Sequence, residues 1–186
     1  MNLTVKDLER LQTELQEAHL DYQLELVDGR IIVMGPSDYI SEEVAGRLIT
    51  FLNNWVMPRK LGRVTGSSAG FILPNEKADL RALDVSFVRA ERLRTSPRDF
   101  VRVVPDLTVE IKSKTDRIKP LKEKIQVFLE LGSLVGILID PDKQKVIIIR
   151  RGSEETELSN SDVLTIPELF PGWELPVSEL WPPEFE

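Results

Sequence analysis

The chain has 186 residues, of which 41% are hydrophobic and 30% charged, a balance typical of one folded domain with a sizeable core. It lacks cysteine and has one histidine, His19, which excludes disulfides, a thiol nucleophile, cysteine-ligated zinc and any multi-histidine metal site. The net charge of −7 argues against non-specific nucleic-acid binding, which usually requires a basic protein. No apolar run approaches the roughly 20 residues of a membrane span. The polar N-terminus has no secretory h-region, so we expect a cytoplasmic protein with no membrane partner.

An N-terminal helix over residues 3–18 is predicted by leucines that recur at helical spacing, and we expect His19, which follows it, on the surface. Residues 22–26 and 30–34 are predicted strands around Asp28-Gly29, a dipeptide that favours a tight hairpin turn. Glu25 lies in the first of these strands. Its carboxylate is either an exposed strand side chain or an additional acid beside a metal, and the sequence leaves both readings open.

A second helix is predicted over residues 39–56, with Ser37 or Asp38 as its cap. Glu42 and Glu43 lie in its first turns, where carboxylates interact favourably with the helix dipole. Dipole compensation is the commoner reason for such acids. The functional alternative gives either of these acids a role in a site.

The rest of the chain predicts further strands, one more helix and a proline-rich tail over residues 159–186. The helix, residues 117–131, has an apolar stripe interrupted by Lys124, whose amine either reaches out to solvent or points into a polar pocket. With no evident repeat or linker, we expect a single domain over residues 1–186 with a core from about residue 20 to 151. The predicted strands of this part are residues 62–66, 70–73, 81–90, 107–112, 134–139 and 146–150.

The strand at residues 107–112 is the most informative stretch for function. Its apolar residues alternate with polar ones, so Glu110 and Lys112 are predicted to project from the same side. That side could simply face water. However, the strand leads into a polar turn and then a helix, and sheets of this kind present reactive groups near strand ends.

Two acids are candidates for a partner of Glu110. Asp106 precedes it by four residues on the same stretch, which separates the side chains by about 13 Å, too far for both to bind one ion. Asp84 comes from a different predicted strand, which can lie about 4.8 Å away if the two strands pair. We therefore expect Asp84 and Glu110 to converge.

Two adjacent carboxylates repel each other unless a cation or a proton lies between them. A divalent metal removes this repulsion, polarises a phosphoryl oxygen and lowers the pKa of bound water, and a nearby lysine stabilises the phosphate charge. Two acids, a lysine and an oxygen-binding metal are therefore sufficient for phosphodiester hydrolysis without histidine.

At these residues the sequence resembles a known family. Asp84 followed by Glu110-Ile111-Lys112 is similar to the PD-(D/E)-x-K arrangement of restriction-endonuclease-like nucleases, and the chain resembles the Uma-type restriction endonucleases in particular. The resemblance extends over roughly residues 20–182. Its pieces are residues 25–31, 83–88, 105–113, 124–132, 138–141 and 169–172.

The resemblance implies an α/β fold, a restriction-endonuclease-like core in which helices flank a mixed central sheet. It also implies Mg²⁺- or Mn²⁺-dependent cleavage of DNA, with Asp84 and Glu110 as metal ligands. Either Lys112 or Lys124 is the implied catalytic lysine, since many relatives lack a lysine at the first place. Relatives often have a histidine early in the second helix, which this sequence lacks; Glu43 is a substitute acid there.

Two further readings stay open at this stage. The first is a catalytically inactive nuclease-fold module that binds a protein partner, which the negative charge and the tryptophan- and proline-rich tail favour. The second is a plain structural domain whose charged strand face is solvated. Nucleases that cut both strands are often dimers, so a homodimer is a further expectation.

Overall fold

A six-stranded mixed sheet forms the centre of the fold, in a computed structural model that describes residues 2–20 and 22–185. The helices of these residues are α1 Val5–Glu17, α2 Tyr39–Arg59 and α3 Ile118–Glu130, with a 3-10 helix at Val177–Leu180. The strands are β1 Gln23–Val27, β2 Arg30–Met34, β3 Gly62–Gly66, β4 Phe71–Ile72, β5 Leu80–Arg81, β6 Val85–Arg89, β7 Leu107–Ile111, β8 Val135–Asp140, β9 Lys145–Ile149, β10 Thr156–Leu158, β11 Val163–Thr165 and β12 Glu174–Pro176.

The six-stranded sheet has the order β10-β9-β8-β7-β6-β3, and a second sheet has the order β2-β1-β5-β4. Only the β7–β8 pair of the larger sheet is parallel, and α3 is the crossover that a parallel connection requires. Strands β11 and β12 form a small separate pair. The predicted α/β architecture, with helices flanking a mixed sheet, is confirmed.

The two faces of the large sheet are covered by different parts of the chain. One face packs against α2 and against the tail, whose Phe170, Trp173 and Trp181 are buried with Leu48 and Phe87 in the main hydrophobic cluster. The opposite face packs against α3. Strand β7 is consequently buried along its whole length.

The N-terminal predictions are confirmed with small shifts in their bounds. Thr4 caps α1 in a reciprocal arrangement with Asp7. The hairpin between β1 and β2 turns at Asp28-Gly29, where both residues have positive φ, as this tight turn demands. His19 is exposed, as expected.

The second helix is longer than predicted. Asp38 is its cap, and the helix continues through Pro58 to Arg59, three residues past the predicted end. The guanidinium of Arg59 lies 3.5 Å from the centre of the Trp55 ring, so a cation–π contact supports the last turn.

Two of the expectations that a polar strand side chain faces solvent are wrong. The polar side of β7 does not face water: Thr108 and Glu110 are buried, because α3 lies over them. Glu25 is buried as well, with 6% of its surface exposed, because β1 packs inside the second sheet.

A single domain over residues 1–186 stays a prediction. Within the described ranges, no helix combines the length and the apolar character needed to cross a membrane.

Candidate active site

The β6–β7 ladder brings Asp84 opposite Glu110. Val85 pairs with Val109 in this antiparallel register, so Asp84, the residue before Val85, lies opposite Glu110, the residue after Val109. The Asp84 Oδ2 atom accepts a hydrogen bond from the Ile111 N–H at 2.6 Å, which fixes the carboxylate at the end of β7. The two acids therefore come from neighbouring strands, as predicted.

Glu110 is more deeply buried than Asp84, with 3% of its surface exposed. Its Oε1 atom lies 2.9 Å from the Lys124 Nζ atom, but no partner in the described structure meets hydrogen-bond geometry toward that oxygen. Burial raises the pKa of Glu110 to about 8, opposed by the Lys124 charge and reinforced by Asp84 and Glu25. This carboxyl group thus has charge compensation from a neighbour but retains an unfilled acceptor.

Lys124 points into a polar pocket and does not reach out to solvent. Its side chain is 13% exposed, and its Nζ atom lies 2.9 Å from Glu110 and 3.4 Å from Glu25. Burial alone would lower the pKa of this amine, but the charges of Glu110 and Glu25 outweigh burial and raise the pKa. The amine is therefore a cation at neutral pH, held between the carboxyl groups of Glu110 and Glu25.

Glu25 reaches this cluster from the second sheet. Its Oε1 atom accepts a hydrogen bond from the Ala82 N–H at 2.9 Å, and its Oε2 atom lies 3.2 Å from the Arg81 Nε atom. Arg81 is the residue that sequence reasoning missed. The only signal for it was a charged side chain three positions before Asp84 in a largely apolar stretch.

Lys112 lies outside the cluster formed by Glu25, Glu110 and Lys124. Its Nζ atom is 2.6 Å from Asp142 Oδ2 and donates to the Ser113 carbonyl at 3.2 Å. The Asp142 hydrogen bond is the main reason that the pKa of Lys112 is raised. Of the two candidate lysines, only Lys124 contacts Glu110.

The N-terminus of α2 borders the site through Asp38 and Glu42. Asp38 accepts hydrogen bonds from the Ser41 N–H and the Lys114 N–H, which joins α2 to the turn after β7. Burial raises the pKa of Asp84, and the charge of Glu42 raises it further, whereas the Ile111 N–H opposes both effects. The side chain of Glu43, the additional acid suggested by the resemblance, has no ion pair or hydrogen bond within the described ranges.

Asp106 has a structural role. Its carboxylate is fully buried and lies 2.9 Å from both the Arg89 Nε atom and a terminal nitrogen of Arg92. It also accepts the Arg89 N–H at 2.9 Å. These contacts connect β7 to the loop after β6, and they account for this acid without a metal.

The chemistry of the site fits a hard divalent cation. Across residues 2–20 and 22–185, no group of three Asp, Glu, His or Cys residues is arranged to hold a metal ion. Mg²⁺, however, usually binds through one or two carboxylates and keeps several waters. Asp84 and Glu110 supply two carboxylates, and the Glu110 Oε1 atom has an unfilled acceptor.

Comparisons with known proteins identify the family and the fold of the chain. The family model Uma2, described as "putative restriction endonuclease", matches residues 5–178. The chain is also similar to a crystal structure described as "a putative nuclease belonging to DUF820" from Anabaena variabilis, with a TM-score of 0.75 and 20% sequence identity. That match covers 88% of this chain and 94% of the other, and at this identity it establishes the fold alone. No curated protein gives a significant match.

Proposed function

Because the chain belongs to the Uma2 family, we propose that it is a divalent-metal-dependent endonuclease that hydrolyses phosphodiester bonds of DNA. One observation carries the proposal: a buried glutamate with an unfilled acceptor oxygen lies between a second acid and a buried lysine. Burying such a set without a ligand is unfavourable, because each charge loses its hydration. Functional sites are where such arrangements are usually retained.

Asp84 and Glu110 are the proposed ligands of Mg²⁺ or Mn²⁺. When bound, such an ion polarises a phosphoryl oxygen and lowers the pKa of a coordinated water. The Ile111 N–H holds Asp84 in place, and the pairing of β6 with β7 sets the spacing of the two acids. Both groups are thus positioned by backbone structure before any ligand arrives.

Lys124 is the proposed catalytic lysine. Its ammonium group would stabilise the negative charge that develops on the phosphate, or orient the attacking water, by a direct hydrogen bond. Glu25 holds this amine from the other side and is itself held by Arg81 and the Ala82 N–H. Lys112 would first have to break its contact with Asp142, which makes it the weaker candidate.

Cleavage of DNA by Glu110→Ala tests the proposal. Plasmid and single-stranded DNA are incubated with Mn²⁺ and either the wild-type protein or the variant. Loss of a metal ligand should reduce the cleavage rate by at least about 100-fold, in line with other groups that stabilise transition-state charge. Glu154→Ala, which removes an exposed acid without a partner in the described chain, is the matched control. Equal cleavage by wild type and Glu110→Ala would refute the proposal.

A second candidate function is a nuclease-fold module without activity that binds another protein. Strand β2 favours it, since this edge strand exposes Ile32, Val33 and Met34 by 41%, 59% and 40%. Apolar edge strands are surfaces that can pair with another chain. This candidate requires that Mn²⁺ leave the protein's melting temperature unchanged.

A further inference from the structure

A cleft of about 890 Å³ opens beside the second half of α1 and the edge strand β3. The C-terminal half of α2 and the loop at residues 93–101 form its other walls. Hydroxyl groups of Thr65, Ser68 and Ser96 line it together with half-buried Phe100. The cleft thus has a mixed lining, in which hydroxyl groups lie beside apolar and aromatic side chains.

The segment that supplies most of the cleft lining is basic, although the whole protein is acidic. Residues 59–102 contain ten Arg and Lys against five Asp and Glu, whereas the full chain has a net charge of −7. Arg63 and Arg98 line the cleft. Glu9 and Asp99 line it as well, and the Asp99 carboxylate accepts the Phe100 N–H at 2.7 Å.

Arg63 is held in place without losing its charge. It donates to the carbonyls of Leu93 at 3.1 Å and Arg94 at 2.7 Å, and both acceptors are neutral. In the described part of the chain it has no carboxylate partner, and neither does the exposed Arg98. Arg81, by contrast, is paired with Glu25. A fixed guanidinium with uncompensated charge is well suited to bind a phosphate.

Two hydrogen bonds connect the cleft to the proposed active site. The Gln23 Nε2 atom donates to the Ser68 hydroxyl at 2.8 Å, and Gln23 precedes Glu25 by two residues on β1. The hydroxyls of Thr65 and Ser86 lie 2.6 Å apart, and Ser86 follows Asp84 by two residues. Residues two apart in extended chain are separated by about 7 Å, so Gln23 and Ser86, the partners of Ser68 and Thr65, lie about that far from Glu25 and Asp84.

We propose that this cleft binds the sugar–phosphate backbone of the nucleic acid whose next phosphate enters the carboxylate site. Arg63 and Arg98 bind phosphate oxygens, the hydroxyl groups bind the backbone, and Phe100 offers a surface for a sugar or a base. The inference rests on the proposed nuclease function for its substrate. Arg63 and Arg98, which have no carboxylate partner in the described part of the chain, give a protein of net charge −7 a local contact for a polyanion.

Binding without turnover tests the cleft. Fluorescence anisotropy with a labelled single strand and with the matching duplex is measured in EDTA, over a range of salt concentrations. Arg98→Glu should weaken binding about tenfold and make the salt dependence shallower by about one phosphate contact. Arg63→Ala is the second variant. Arg151→Glu is the control, because it makes the same charge change as Arg98→Glu at an exposed position just after β9, at the other side of the sheet.

Weaker binding of either probe by Arg98→Glu and Arg63→Ala than by Arg151→Glu supports the cleft, and the more sensitive probe identifies the strand form that it takes. Equal binding by all three variants, or no binding by the wild type, overturns it. The result is independent of cleavage. A protein that binds through Arg98 but never cuts DNA would refute the nuclease proposal and leave the cleft standing.

Discussion

At the scale of single residues, Glu110 has the most perturbed environment of the acids in this site. Its carboxyl is buried by α3, and burial raises its pKa to about 8. The folded protein therefore keeps a proton that the unfolded chain loses near pH 4.5. The contribution of this group to the stability of the fold is complete below pH 4.5 and is lost as the pH rises from there through 8.

Glu110→Gln should consequently become more stable relative to wild type as the pH rises. Glutamine has the same shape and does not titrate, so it avoids the burial of a charge at high pH. We expect the difference in unfolding free energy to shift in favour of the variant by about 3 kcal/mol between pH 5 and pH 8. Urea unfolding at three pH values measures it, with Glu154→Gln as the exposed control. If the unfolding free energies of wild type and Glu110→Gln changed with pH in the same way, the raised pKa of Glu110 would be contradicted.

Substitutions of the two lysines should differ in their effects on the cleavage rate. Lys124→Met removes the cation between Glu25 and Glu110, and we expect at least a tenfold loss of cleavage rate together with lower stability, because two buried acids lose their partner. Lys112→Met removes the contacts with Asp142 and the Ser113 carbonyl, neither of which belongs to the cluster, and should leave the rate within about threefold of wild type. Cleavage rates at matched folded fractions, checked by circular dichroism, decide between them. A larger loss in Lys112→Met would reverse the assignment.

At the scale of elements, Gly136 sets how closely α3 approaches the sheet. A Cβ atom at Gly136 would lie 2.2 Å from the Ile125 Cγ2 atom, and Ile125 is the neighbour of Lys124. Gly136→Ala should therefore push α3 outward, destabilise the protein by about 1–3 kcal/mol and lower the cleavage rate.

Gly46→Ala is the control for this change. It adds the same methyl group at an exposed position of α2 where nothing lies within 4 Å, and it should be neutral or stabilising by up to about 1 kcal/mol. Thermal unfolding and cleavage assays of both variants test the packing. Unchanged stability in Gly136→Ala would show that the contact between α3 and β8 is not tight.

The same elements show what the sequence pattern could predict. Local signals were sufficient for the hairpin at Asp28-Gly29, the helix α3 and the apolar strand β8, because turn preference and periodicity are read within a few residues. The burial of β7 under α3 could not be predicted, because apolar and polar residues alternate in the same way whether the polar face contacts water or a helix. The Lys124–Glu25 contact depends on how two sheets meet, and β4 and β5, with two residues each, give almost no periodic signal.

At the scale of the whole molecule, metal binding should be visible in stability. A ligand that binds only the folded state at 100 times its dissociation constant adds about 2.7 kcal/mol, which raises the melting temperature of a chain of this size by about 5–10 °C. We expect Mn²⁺ to produce such a rise in wild type, EDTA to reverse it, and Glu110→Ala to lack it. An unchanged melting temperature in wild type would favour the inactive protein-binding module.

The tail gives the molecule a further property. Phe170, Trp173 and Trp181 form one wall of the main hydrophobic cluster, opposite strands from the middle of the chain. During synthesis these residues leave the ribosome after the strands that they cover, so one apolar face of the large sheet stays uncovered until the tail has emerged. A chain that stops before the tail would therefore expose an apolar sheet face to aggregation, proteases and chaperones.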